Sequence, residues 1–544
     1  MRPRNFAVAA LAVAAAAATL GFVVRSKPES TPAPRLVAFP LSPSVVQLSW
    51  STAGRRGTFR VIRDGSVIAE TARESFTDRG LRGGSSHRYE IEKGDAQGSQ
   101  SRLAAATAAT PTTRIAPAFP LKIGPTGRYL VDQKNVPFLV IGDSPQALTM
   151  GVSVPDAEKY LADRKAAGYN ALWVNLLCIV CTRYESRTDG ATFDGVPPFS
   201  APRDLSTPNE RYFARVDRVV ALAQKYGFLL FLDPIETAGW LDVLRANGVE
   251  KSGAYGRYLG RRYGRYPNIV WFNGNDFQTW RTRSDTALVQ AVARGIAETA
   301  PRQLQTVELN YYVSSSLDDP TWRPLIAIDS VYTYRPTYAE LLEEYDRPRF
   351  MPTVMVEANY EFEGWLYPVD LATLRRQEYW TMLSGAAGQF YGNKYTWQFL
   401  DGWQGKLDTP GSIQMMYGAR LFSGLPWYRL VPDRTHRIVA KGFGTYSARG
   451  SVNDNSFITA ARTPDGKLAV AYFPEARPAT IDLRALSGPV VARWFDPTRG
   501  TFVEVSGSPF PNRGAREFSP PGKNGGGQTD WVLLLRVGGS KGRA

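Results

Sequence analysis

Ile269-Val-Trp-Phe-Asn-Gly-Asn-Asp276 opens with four apolar residues, passes through a turn-forming Asn-Gly-Asn and ends on an acid. A short β-type apolar run that breaks at such a turn is how a strand buried on both faces delivers a side chain to the rim of a parallel barrel. Pro352-Thr-Val-Met-Val-Glu-Ala-Asn-Tyr360 repeats the pattern, with Glu357 where the apolar run stops. Two acids at the ends of two such strands can face each other across one opening, so Asp276 and Glu357 are the candidate catalytic pair.

Outward from these stretches, strand-like and helix-like segments alternate. Phe138–Asp143 is the expected first strand, Ala171–Leu177 the second, Phe228–Asp233 the third and Ile269–Phe272 the fourth. Gln305–Leu309 is expected as the fifth, a segment beginning at Leu325 and running through Asp329 towards Tyr332 as the sixth, Thr353–Val356 as the seventh and Gly388–Tyr391 as the eighth. Helices are expected at Pro155–Gly168, Arg211–Tyr226, Gly253–Tyr263, Asp285–Thr299, Tyr338–Tyr345 and Leu371–Ser384. Eight β/α units in roughly 310 residues predict a central (β/α)8 TIM barrel. A doubly wound sheet would want a glycine-rich phosphate loop after its first strand, and Gly142-Asp-Ser-Pro145 is not one.

The chain has 544 residues, too many for a single core, and its 43% apolar and 12% aromatic content excludes general disorder. The formal charge of +15 is scattered, without a basic run or a nucleic-acid motif, so no nucleic-acid partner is expected. Met1-Arg-Pro-Arg4 and the apolar run from Phe6 to Val24 have the form of a secretory signal or an uncleaved N-terminal membrane anchor over residues 1–30. Export follows from either, to the periplasm, the medium or the outer side of a membrane.

The two cysteines stand together as Cys178 and Cys181. In an exported protein they can oxidise to a local disulfide; two buried thiols, or a redox or metal site, are the other readings. Zinc would need ligands from a chain with two histidines, and no metal or other cofactor is expected.

Residues 28–35 read as a linker. Short alternating runs at 45–50, 58–62, 66–69 and 87–91, separated by turns, predict a β-sandwich. With Trp50 and Tyr89 in core positions, residues 33–109 resemble a fibronectin type III module, and the resemblance implies a spacer. Ala105–Thr113 reads as a second linker by composition. Beyond a catalytic domain at 118–430, period-two runs at 457–461, 468–472, 479–482, 490–495 and 531–536 predict a C-terminal β-sandwich over 434–538, with a mobile glycine-rich loop at 525–527.

Barrel enzymes place their chemistry at the C-terminal strand ends, where this sequence has Asp143, Asp233, Glu236, Asp276, Asp329, Glu357, Glu361 and Glu363. So many acids on one face exceed structural need. Aromatic residues in the same segments, Trp240, Trp280, Tyr334, Tyr360, Trp365, Trp397 and Trp403, could stack on sugar rings. Asn275, Asn310, Asn359 and Lys394 are candidate hydroxyl ligands beside them. Trp173 and Trp271, inside strands, are expected in the core.

The Gly142-Asp143 strand end, Trp271-Phe-Asn-Gly-Asn-Asp276, Val356-Glu-Ala-Asn-Tyr-Glu361 and Gly388-Gln-Phe-Tyr-Gly392 resemble the apiosidase-like glycoside hydrolases, glycoside hydrolase family 140 and relatives, over about residues 118 to 430. Arg493–Gly500 and Gly527–Leu533 resemble the β domain, labelled collagen-binding, that follows the barrel in that family. The resemblance implies a carbohydrate substrate and retaining chemistry, with Asp276 as general acid/base and Glu357 as nucleophile. Asn359 would donate to the nucleophile. A non-catalytic carbohydrate-binding or envelope scaffold on the same barrel is the alternative.

Overall fold

Eight parallel strands at the middle of the chain share one sheet whose order runs fifth, fourth, third, second, first, eighth, seventh, sixth. They span Val140–Asp143, Ala171–Asn175, Leu229–Asp233, Ile269–Phe277, Leu304–Leu309, Asp329–Thr333, Thr353–Glu357 and Gly388–Tyr391. The first and eighth strands pair, which rolls the sheet into a TIM barrel. Only the seam between the fifth and sixth strands lacks a backbone ladder; the short antiparallel strand Val313–Ser315 runs along the sixth there. Side chains bridge that seam. Thr306 Oγ1 meets Ile328 O at 2.8 Å and Ser330 Oγ at 2.7 Å, while Ser316 Oγ accepts from Ser330 N at 2.8 Å. Buried backbone groups that a ladder would have satisfied are thus paired with hydroxyls.

The structure is a computed structural model that describes residues 34–52, 57–94, 100–112, 116–181, 189–278, 282–310, 312–364 and 368–538. The expected signal or anchor at 1–30 lies outside the described residues. Among the described residues no helix is long and apolar enough to cross a membrane.

Local sequence explains most barrel helices. Ser153 caps Val154–Ala167 by accepting from Asp156 N at 3.2 Å, and Gly168 ends it at φ 114°. One helix departs from expectation. It runs from Thr237 to Tyr263 rather than starting at Gly253, with a break at Gly248. Gly256 inside it serves packing: a Cβ there would lie 2.1 Å from Val292 O, so this helix and Arg283–Thr299 touch backbone to backbone.

The sixth strand starts at Asp329, not at Leu325. Asp329 therefore lies at the N-terminal end of its strand, at the barrel's base and away from the mouth. There burial, reinforced by the Glu344 charge, pushes its carboxyl up.

The N-terminal sandwich stacks a three-stranded and a four-stranded sheet. Trp50 and Tyr89 are buried in its core, and Tyr89 donates to Asp78 Oδ2 at 2.7 Å. Ala105–Thr113 is not wholly a linker. Gln100–Ala109 is a strand paired with Ser86–Gly94, because ladder hydrogen bonds come from the backbone and an Ala/Thr run makes them as well as any other.

The C-terminal unit packs a six-stranded sheet on a three-stranded one. Its glycine-rich stretch is tied down rather than loose: Gly525 N donates to Asp496 Oδ2 at 2.7 Å and Gly526 N to Thr498 Oγ1 at 2.8 Å. The barrel helix Leu371–Leu383 is buried from Thr373 onward because this sandwich covers its outer face. Arg375 pairs with Asp530 at 2.8 Å, Tyr379 stacks on Tyr472 with centroids 5.0 Å apart, and Trp380 Nε1 donates to Phe457 O at 3.0 Å.

Candidate active site

Asp276 reaches the mouth through a bulge. The ladder between the fourth and fifth strands slips between Asn273 and Phe277, and Gly274, Asn275 and Asp276 take φ of 107°, 45° and 61° in succession. Left-handed backbone at two non-glycine residues stores roughly 1–3 kcal/mol each and persists only where surroundings enforce it. Several contacts do so. Asn175 Nδ2 donates to Asn275 Oδ1 at 2.7 Å, Thr237 Oγ1 to Asn275 O at 2.9 Å, and Asn273 Nδ2 to Thr306 O at 2.9 Å. A Cβ on residue 274 would lie 2.6 Å from Glu308 O, so glycine is required there by contact as well as by φ.

The carboxylate of Asp276, at the half-buried rim, accepts from Asn310 Nδ2 at 2.5 Å, and the same amide reaches Tyr332 Oη at 3.2 Å. On the seventh strand Glu357 is 6% exposed and accepts two phenols, Tyr334 Oη at 2.5 Å and Tyr360 Oη at 3.1 Å. Gln146 Nε2 in turn donates to Tyr360 Oη at 3.0 Å. The donors on Glu357 are thus tyrosines. Asn359 spends its side-chain amide on Tyr334 O and Gln377 Oε1, both at 3.0 Å, and fixes the loop that carries Tyr334.

Burial raises the carboxyl pKa of both Asp276 and Glu357. The negative charge of Asp276 raises that of Glu357 further, and the two phenols oppose the rise. A buried carboxyl that feels the charge of a second acid at the same mouth favours a pair holding one proton.

The other expected ligands divide. Glu236 comes close enough for the Asp276 charge to act on it; burial and that charge push it up to about 8. Its Oε2 accepts from Ile179 N at 3.2 Å, in the turn closed by the Cys178–Cys181 disulfide. Asp233 is buried beside it and accepts from Ile235 N at 3.1 Å, with burial raising its pKa.

Asp143 is not placed to meet a substrate: it is 1% exposed and accepts from Tyr160 Oη at 2.6 Å and from Ser144 N at 2.9 Å. Trp240 is 1% exposed and packs edge-on against Phe199, so it is a core residue, as Trp403, Trp173 and Trp271 are. Glu361 is taken up by Thr409 Oγ1 at 2.5 Å and Gly411 N at 3.0 Å. Trp397, half-buried, donates to Glu363 Oε1 at 2.8 Å. Lys394 is exposed, and its backbone N–H donates to Glu361 O at 3.0 Å. Trp280 and Trp365 lie outside the described residues.

Three participants escaped sequence reasoning: Glu308, Tyr332 and Gln146. Glu308 is fully buried on the fifth strand, and its Oε2 accepts from Asp276 N at 3.2 Å. Its signal was an acid one residue before an apolar strand end, which reads as a strand interior rather than a rim. A cavity of about 930 Å³ lies elsewhere, between the N-terminal sandwich and the barrel, bordered by Leu41, Leu139 and Trp427. Convergent acids, not volume, mark the site.

The apiosidase-like catalytic domain model matches residues 125–429, more than half of the chain, and a model described as a candidate collagen-binding domain of a collagenase matches 447–536. Among solved structures, one titled glycoside hydrolase is 21% identical, with TM-score 0.68, over 79% of this chain and 100% of its own. A glycoside hydrolase family 5 protein from Bacteroides vulgatus is 20% identical, with TM-score 0.66, over 77% of this chain and 93% of its own. These two likenesses support the fold. No curated protein matches. The chain belongs to the apiosidase-like family and is a glycoside hydrolase.

Proposed function

We propose that the protein is an exported retaining glycoside hydrolase that cleaves O-glycosidic bonds of a polysaccharide or oligosaccharide, with Asp276 as general acid/base and Glu357 as nucleophile. The observation that carries this is the pair itself: two acids on the fourth and seventh strand ends, each raised by burial, with Asp276 acting electrostatically on Glu357. In the first step the Glu357 carboxylate attacks the anomeric carbon while Asp276 gives its proton to the leaving oxygen. The sugar is then an ester of Glu357. In the second step Asp276, now a carboxylate, takes a proton from water as that water displaces Glu357.

Tyr334 and Tyr360 support the role of Glu357, since two O–H donors orient a carboxylate for attack and stabilise its ionised form. Asp276, nearer solvent at the rim, is the more accessible of the two to a leaving group and to water. Export is supported by the N-terminal signal-like sequence and by a disulfide, a bond that persists in oxidising compartments.

The test is NMR of the product released from a polysaccharide and oligosaccharide panel. Retention predicts that the first anomer formed has the configuration of the bond cleaved. Asp276→Ala should regain turnover of an activated aryl glycoside when azide is added, as a β- or α-glycosyl azide of retained configuration. Inverted first product would overturn the mechanism, and near-normal activity of Asp276→Asn or Glu357→Gln would overturn the assignment.

A further inference from the structure

Glu308 is absent from the two-carboxylate scheme, yet it touches the backbone of one partner and feels the charge of both. Its Oε2 accepts from Asp276 N at 3.2 Å and from Asn275 Nδ2 at 3.4 Å, the two left-handed residues of the bulge. Its side chain is fully buried, and Oε1 has no hydrogen-bond partner among the described residues. The charges that bear on it most strongly include those of Glu357, Asp276 and Asp233. A third fixed negative charge here, enclosed beside other acids, would be strongly disfavoured.

We propose that Glu308 is a positioning residue that works as an uncharged carboxylic acid, its carbonyl-type oxygen cradling the Asn275-Asp276 bulge so that the acid/base stands at the mouth. The inference rests on the assignment of Asp276 and Glu357 above. The carboxyl has two separable duties. As an acceptor it satisfies a backbone N–H in a strained turn, which fixes where Asp276 points. As a neutral group it leaves the single negative charge of the resting site to the reacting pair. Burial and the Glu357 charge raise its pKa well above the usual carboxylate range, consistent with this. A glutamine has the same shape, one acceptor oxygen and no charge, so it should replace the acid; an alanine should not.

The experiment compares Glu308→Gln and Glu308→Ala in the full chain, using the p-nitrophenyl glycoside that the wild type turns over fastest from a panel of pentosides and hexosides. Glu308→Ala should lower kcat by about 100-fold or more, with KM changed little, because a misplaced acid/base acts on the transition state. Glu308→Gln should restore kcat to within about fivefold of wild type, and the acidic limb of its pH profile should stay in place. A buried carboxylate instead predicts that the acidic limb falls, since Glu357 would lose a like-charged neighbour. Infrared difference spectra of wild type minus Glu308→Gln, needing no substrate, should contain a protonated carboxyl band at neutral pH.

An ionised carboxylate band, a lowered acidic limb, or Glu308→Gln as impaired as Glu308→Ala would overturn the proposal. Asp276→Asn and Glu357→Gln run alongside: full activity in those two variants marks failure of the pair assignment, whereas the infrared band judges Glu308 by itself.

Discussion

The Tyr334 phenol donates to Glu357 Oε1 at 2.5 Å, and the loop behind it is fixed by Asn359, which donates to Tyr334 O at 3.0 Å. Glu357 is therefore aimed by a hydroxyl whose own loop is held in place. A hydrogen bond to a charged group contributes about 1.5–3 kcal/mol. Tyr334→Phe should lower kcat about 10- to 100-fold. The sign of the pH effect also follows: loss of a donor disfavours the carboxylate, so the acidic limb of the profile should move up. A pH–rate profile in which that limb stays or falls would contradict the role.

Gly274 is held by φ 107° and by the 2.6 Å distance a Cβ would have from Glu308 O. Gly274→Ala should cost about 1–3 kcal/mol of stability and a larger share of activity, because relief of the contact shifts the bulge carrying Asp276. Thermal melting and kcat on the same preparation check this. Wild-type kcat in a destabilised variant would detach the bulge from catalysis.

Glu236 has a folded pKa raised from an ordinary 4.5 to about 8 by burial and by the Asp276 charge. The folded state thus keeps a proton that the unfolded chain releases. Its stabilising contribution is complete below the unfolded value and is lost as pH rises from about 4.5 to about 8. Glu236→Gln, which cannot ionise, should lose less melting temperature than wild type between the two ends of that window. Equal slopes of Tm against pH in the two proteins would refute it.

Arg375 links the barrel to the C-terminal sandwich through a pair with Asp530 in which both side chains are buried. Arg375→Ala leaves the Asp530 charge enclosed and should destabilise by about 3–5 kcal/mol. Replacing both partners with apolar residues should recover much of that loss. Denaturant unfolding of the single and double variants decides it, and a single variant as stable as wild type would mean that the pair holds nothing.

The sequence by itself determined the barrel, since eight apolar runs with helix signals between them admit few other arrangements. It also located Asp276 and Glu357, because an acid directly after a buried run has one place to go. What it misread were cases where the local signal and the packing disagree. The helix expected to begin at Gly253 begins at Thr237, and Ala105–Ala109 looks like a linker but completes a ladder.

Only the tertiary structure decided which polar residues meet. Asp143, Trp240 and Glu361 share the rim positions of the site residues in sequence, yet each is enclosed with its own partners. Glu308, Tyr332 and Gln146 join from strands and loops far away in the chain. Hydrogen bonds reach about 3 Å and depend on direction, so they are set by the roll of the barrel and one bulge in its fourth strand, neither of which a linear pattern of apolar and polar residues encodes.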